Sequence, residues 1–195
     1  MKQLLLFARW VDRINENIGR AAAWLVLVAV LVSTLNALAR YSLHIGSNAF
    51  LELQWYLYSA VFLLGAAWTL RRNEHIRIDV VVGRFSPRVQ AWVDIVGGLF
   101  FLLPLCALIL WDAIPYALDA MRSGEVSSNA GGLVLWPARL LIPVAFALLL
   151  AQGCSEIIKR FAFLSGLISA NEFEKGGAAQ EAAAVPAAVV EQHGK

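Results

Sequence analysis

Glu52-Leu53-Gln54-Trp55 opens, and Arg71-Arg72-Asn73-Glu74-His75-Ile76-Arg77-Ile78-Asp79 closes, the stretch whose reading decides the fold. From Trp55 to Leu70 no charged residue interrupts it. Counted from Asn48, a helix to Leu70 rises about 34 Å at 1.5 Å per residue, enough to cross a hydrocarbon core of about 30 Å. Arginine near a helix end resists translocation, so the Arg71-Arg72 pair predicts the cytoplasmic end of a membrane span. Glu52 falls in the first turn near the opposite surface, where the helix dipole and headgroup water both tolerate a carboxylate.

Composition agrees with a membrane protein: 195 residues, 59% hydrophobic and 15% charged, with mean hydropathy +0.65. The net charge of +2 matters less than its placement. Of sixteen Lys and Arg, all but Arg40, Arg122 and Arg139 fall before Ala21, between Arg71 and Arg88, or after Ile158. Cys106 and Cys154 lie in apolar runs without Cys-x-x-Cys spacing and read as small buried hydrophobes, not as a redox pair.

Upstream, Leu4, Phe7, Val11, Ile14 and Ile18 recur at helical spacing, with Arg9, Arg13, Glu16 and Arg20 opposite. Residues 1–20 are therefore expected to form an amphipathic helix lying along the cytoplasmic headgroups. Residues 21–39 make the first span. Its length and the twenty residues before it favour an uncleaved anchor over a signal peptide. Ser47 or Asn48 caps the second span, about 49–70, in which Gly65-Ala66-Ala67 forms a narrow ridge for helix contact, within this chain or with another.

Ser86-Pro87 restarts a helix as N-cap and first residue, carrying a third span of about 91–111. Gly97-Gly98 and Pro104 predict a bend there, and Gly124 a terminator. A polar, glycine-bearing external loop, Ser123 to Leu135, precedes a fourth span of about 136–158 closed by Lys159-Arg160. Arg139 either snorkels to the outer surface or pairs with Glu52 or a partner's carboxylate. The tail, 164–195, is low in complexity and expected to be disordered. Four spans place both termini in the cytoplasm, and Trp24, Trp55, Trp68, Trp92, Trp111 and Trp136 fall near span ends as an aromatic belt requires. The fold expected is an all-α integral membrane protein, 21–163 forming a four-helix membrane domain.

No chemistry is supplied. His44, His75 and His193 sit in loops and the tail, and no phosphate loop, dinucleotide fingerprint or metal spacing occurs, so neither an enzyme, a cofactor nor a nucleic-acid partner is expected. Span middles are apolar, which argues against a self-sufficient carrier.

Glu52-x-x-Trp55, Phe62-Leu63-Leu64-Gly65-Ala66-Ala67 and Leu70-Arg71-Arg72-Asn73-Glu74-His75-Ile76-Arg77-Ile78-Asp79-Val80, over a region of roughly Val11 to Phe163, resemble the small permease (DctQ-like) subunit of tripartite ATP-independent periplasmic (TRAP) transporters. Ser127-Ser128-Asn129-Ala130-Gly131-Gly132 with Leu135-Trp136-Pro137 resembles the subgroup labelled as mannitol or chloroaromatic transport, a label that does not identify the substrate. The resemblance implies an inner-membrane scaffold for a large, many-span permease holding the substrate and sodium sites, served by a periplasmic solute-binding protein and driving organic-acid uptake with sodium. Candidate interface or membrane-anchoring residues are Glu52, Trp55, Gly65 and Arg139, and, bridging lipid phosphates and the large subunit inside, Arg71, Arg72, Glu74, His75, Arg77 and Asp79. The competing reading is a free-standing four-helix exporter or quinone-linked protein.

Overall fold

The computed structural model describes residues 2–44, 47–72 and 85–167. Expectations for Glu74, His75, Arg77 and Asp79, and for the tail beyond residue 167, lie outside these residues.

The described chain is helical: α1 (Lys2–Leu43), α2 (Asn48–Arg71), α3 (Pro87–Gly97), a π-helical turn (Gly98–Leu102), α4 (Leu103–Ser123) and α5 (Trp136–Leu164). With α3, the π turn and α4 forming one rod, four helices are long and apolar enough to cross a membrane. α5 is the hub, packing against α1, α2, α3, the π turn and α4. Both ends of the described chain meet at one end of the bundle, the charged end. The 123–135 connection closes the other, the loop end.

Helix contacts are made by small side chains. Ala22 and Ala29 on α1, Ala60 and Ala67 on α2, Ala113, Ala117 and Ala120 on α4, and Ala145 and Ala162 on α5 are buried, whereas Trp24, Trp55, Phe62, Phe101 and Trp111 stand outward. Lipid offers large apolar groups the same environment as a core would, so close backbone approach, not burial of bulk, selects the contact face. At its tightest this leaves no room for a β-carbon: one built on Gly19 would sit 2.5 Å from Cγ of Trp68, and one on Gly153 3.0 Å from Leu102.

The residues expected to bend the third span produce the π turn. Pro104 has no N–H to continue the ladder, and its ring crowds the preceding turn. The helix answers by widening, so that the Leu103 N–H donates to the Gly98 carbonyl five residues back. Ser86 has the extended backbone of an N-cap with Pro87 at the first helical position, though its hydroxyl caps nothing. Gly124 ends α4 with φ 61°, as the sequence predicts.

One expected boundary is absent. No break separates 1–20 from 21–39; α1 is continuous over 42 residues, about 63 Å long. Its contact stripe in the first half is Ala8, Val11, Asn15 and Gly19, rotated away from the Leu4–Phe7–Ile14 side because small and hydrogen-bonding residues, not bulky ones, approach α5. At Gly65, no other part of the described chain lies within 4 Å of a β-carbon built there.

Gly19→Leu is expected to destabilise the chain by about 1–3 kcal/mol through overpacking against Trp68, whereas Gly65→Ala should be neutral or stabilising by up to about 1 kcal/mol. Thermal unfolding of the detergent-solubilised variants checks both.

Candidate functional site: two polar layers

At the charged end, Asp12-x-x-Asn15-Glu16 on α1 faces Gln152-x-x-Ser155-Glu156 on α5. The shared spacing puts each triple on one helix face. Gln152, fully buried, accepts from Asn15 Nδ2 at 2.7 Å and donates from Nε2 to Asp12 Oδ1 at 2.8 Å and Glu156 Oε1 at 3.0 Å. Ser155, equally buried, offers its hydroxyl to Asp12 Oδ1 at 3.1 Å and the Ala8 carbonyl at 3.3 Å.

Charge is balanced around this core. Lys159 Nζ reaches Asp12 at 3.1 Å and also Glu156. Arg160, 4% exposed, donates to Asp94 on α3 at 2.8 Å and to Glu156 at 2.6 Å. Arg71 of α2 donates to Glu16 at 2.7 Å and stands 4.0 Å from Asp12, and Arg20 also pairs with Glu16. Charges taken this far from water hold only when paired and hydrogen-bonded, and here four carboxylates meet four cations across all four spanning rods. Arg72 lies with its guanidinium 4.4 Å above the Trp68 ring.

The loop end is organised by α2. Asn48, Glu52 and Tyr56 recur every four residues on one stripe and hold the 125–135 loop at three points. Glu52 accepts from Ser127 Oγ, from Asn129 Nδ2 at 2.7 Å and from the Leu133 N–H at 2.7 Å. Asn48 and Tyr56 donate to the carbonyls of Ala130 and Val134. Within the loop, Val126 bridges Val134, and Ser127 N–H donates to Leu133 O at 2.9 Å. Gly131 supplies φ 70°, and Gly132 packs where a β-carbon would meet Ser127 at 2.6 Å.

Arg139 is paired with Glu125 at 2.7 Å and lies 4.3 Å over the Tyr116 ring, so the pairing with Glu52 considered from sequence is replaced: Glu52 is already committed to the loop. Beside it a crevice of about 330 Å³ opens between α2, α4 and α5, lined by Ser59, Leu63, Tyr116 and Ile142. Arg71 is also corrected. Its side chain, 14% exposed, is turned inward onto Glu16 and not toward lipid phosphate. Trp55, 71% exposed, and Gly65 remain outward and open to another molecule.

Sequence reading missed the charged-end network. The signal available was the repeated three-then-four spacing of the two polar triples and the isolated Gln152 in an apolar run. Among the described residues no group of three or more His, Cys, Asp or Glu is placed to hold a metal ion. Cys106 and Cys154 are free.

Residues 18–163 match the family described as tripartite ATP-independent periplasmic transporters, DctQ component. A Haemophilus influenzae protein carrying the provisional name TRAP transporter small permease protein is 25% identical over 133 residues, covering 68% of this chain and 82% of its own length. No solved structure matches the chain at the same stringency. The family implies a large permease and a binding protein as its companions in the tripartite system. With four membrane-length helices and a family match over three quarters of its length, the chain belongs to the DctQ family: it is the small subunit of a TRAP transporter, a multi-pass inner-membrane protein and not an enzyme.

Proposed function

We propose that this subunit acts as a rigid brace for the large permease subunit during sodium-driven, binding-protein-dependent uptake of organic acids. The observation that carries the reading is the charged-end network: among the described residues Asp12, Glu16 and Asp94 each pair with a cation on another helix, Glu156 holds the two cations of its own helix that reach across, and small residues close the interior between the polar layers. Such a body resists deformation but offers solute no path. The outward faces of α2 at Trp55 and Gly65 are the surface we assign to the large subunit. Gly65 permits close approach because, among the described residues, none of its own chain occupies the space beside it.

Orientation follows from cation placement, with the charged end cytoplasmic and the Glu52-held loop periplasmic. That arrangement puts the loop on the side from which a binding protein delivers substrate.

Proteoliposomes decide the role. Uptake of a labelled organic acid should require the large subunit, this subunit, the binding protein and an inward sodium gradient together. Accumulation by this chain alone, as a homo-oligomer, would overturn the proposal. Gly65→Leu should lower co-purification with the large subunit several-fold while leaving the isolated chain's melting temperature nearly unchanged. Gln152→Leu strands the buried Asn15 donor and takes one of several donors from Asp12 and from Glu156, so it should cost about 1–3 kcal/mol of stability and reduce transport, read by thermal unfolding and uptake in parallel. Glu52→Gln should expose the 125–135 loop to limited proteolysis without loosening the charged end.

A further inference from the structure

All four carboxylates of the charged end among the described residues, Asp12, Glu16, Asp94 and Glu156, are turned into the bundle and paired there. Lys2, Arg9 and Arg13 on α1 and Arg88 on α3 are exposed, and none has a carboxylate within ion-pair distance among the described residues. Among the described residues, internalising the acids leaves the outer surface of this end with exposed cations. Lys2, Arg9 and Arg13 lie with Leu6 and Trp10 on the face of α1 opposite its contact stripe, and Trp10 is 62% exposed. On α3, Arg88 precedes Trp92 by one turn, and Trp92 meets Phe161 of α5 edge-on at 6.2 Å while staying 52% exposed.

Position along the helices identifies the occupant. Glu52, at the loop-end layer, and Arg71, at the charged-end layer, are nineteen residues apart on α2, about 28 Å, which matches the hydrocarbon core of a bilayer. Arg13 and Arg9 then lie about 5 and 10 Å beyond Glu16 along α1, at headgroup depth. Exposed cations interleaved with tryptophan at that depth fit phosphate esters above and acyl chains beside them.

We propose that this end of the chain is a binding surface for anionic phospholipid headgroups, carried by Arg9, Arg13 and Arg88 with Trp10 and Trp92, and left cationic among the described residues by the inward pairing of Asp12, Glu16, Asp94 and Glu156. It rests on the inner-membrane location and not on the bracing role, so the two stand or fall separately.

Native mass spectrometry of the purified transporter complex, equilibrated with equal phosphatidylglycerol and phosphatidylethanolamine, tests it. Phosphatidylglycerol should be retained several-fold in excess, and Arg9→Gln/Arg13→Gln should remove most of that excess. Arg40→Gln/Arg122→Gln, exposed cations at the loop end, should leave it intact. Equal retention of the two lipids, or an undiminished excess in Arg9→Gln/Arg13→Gln, overturns the proposal. So does loss of the large subunit from that variant with lipid retention unchanged, which would make the face a protein contact.

Discussion

Pairing of buried charge at one end of the bundle is the constraint from which the rest of this structure follows. A carboxylate or guanidinium near the edge of hydrocarbon is costly unless an opposite charge and hydrogen bonds replace its water. Asp12, Glu16 and Asp94 find those replacements on other helices, and Glu156 finds them on its own. Sliding α1 against α5 by a turn, about 5.4 Å, would break several of these contacts at once. Register is thereby fixed more sharply than by apolar contact, which in lipid discriminates weakly between alternatives.

Gln152 is the pivot of that layer. An amide both donates and accepts, so it can join Asn15, Asp12 and Glu156 where a charged residue would satisfy only acceptors or only donors. Lys159 and Arg160 beyond it then neutralise what the amide has gathered. At the loop end the logic differs. Among the described residues no cation enters the Glu52 clasp; three donors from one loop satisfy it, and Arg139 is left to Glu125 and the Tyr116 ring. One layer ties helices to each other, while the other ties a loop to a helix.

Between the layers, alanine and glycine set the packing distance and the large side chains face outward. The outer surface is what a small transporter subunit built this way can offer to other molecules. α2 presents an open glycine and an exposed tryptophan on its flank. The charged end presents Arg9, Arg13 and Arg88, exposed and without a carboxylate in ion-pair distance among the described residues.

Hydropathy and cation placement determined the class, the four long helices, the start at Ser86-Pro87 and the stop at Gly124, because chain length against bilayer thickness and the backbone limits of proline and glycine act locally. Family resemblance likewise rests on contiguous residues. Tertiary structure alone decided which polar residues meet. Asp12 and Lys159 are 147 positions apart, and Glu52 and Leu133 are 81 apart; no periodicity encodes such pairings. For the same reason Arg71 reads as a membrane-facing cation in one dimension and proves to be Glu16's partner in three. The continuity of α1 was also hidden, since an amphipathic pattern is identical whether its polar face meets headgroups or the carboxamide and lysine of a neighbouring helix.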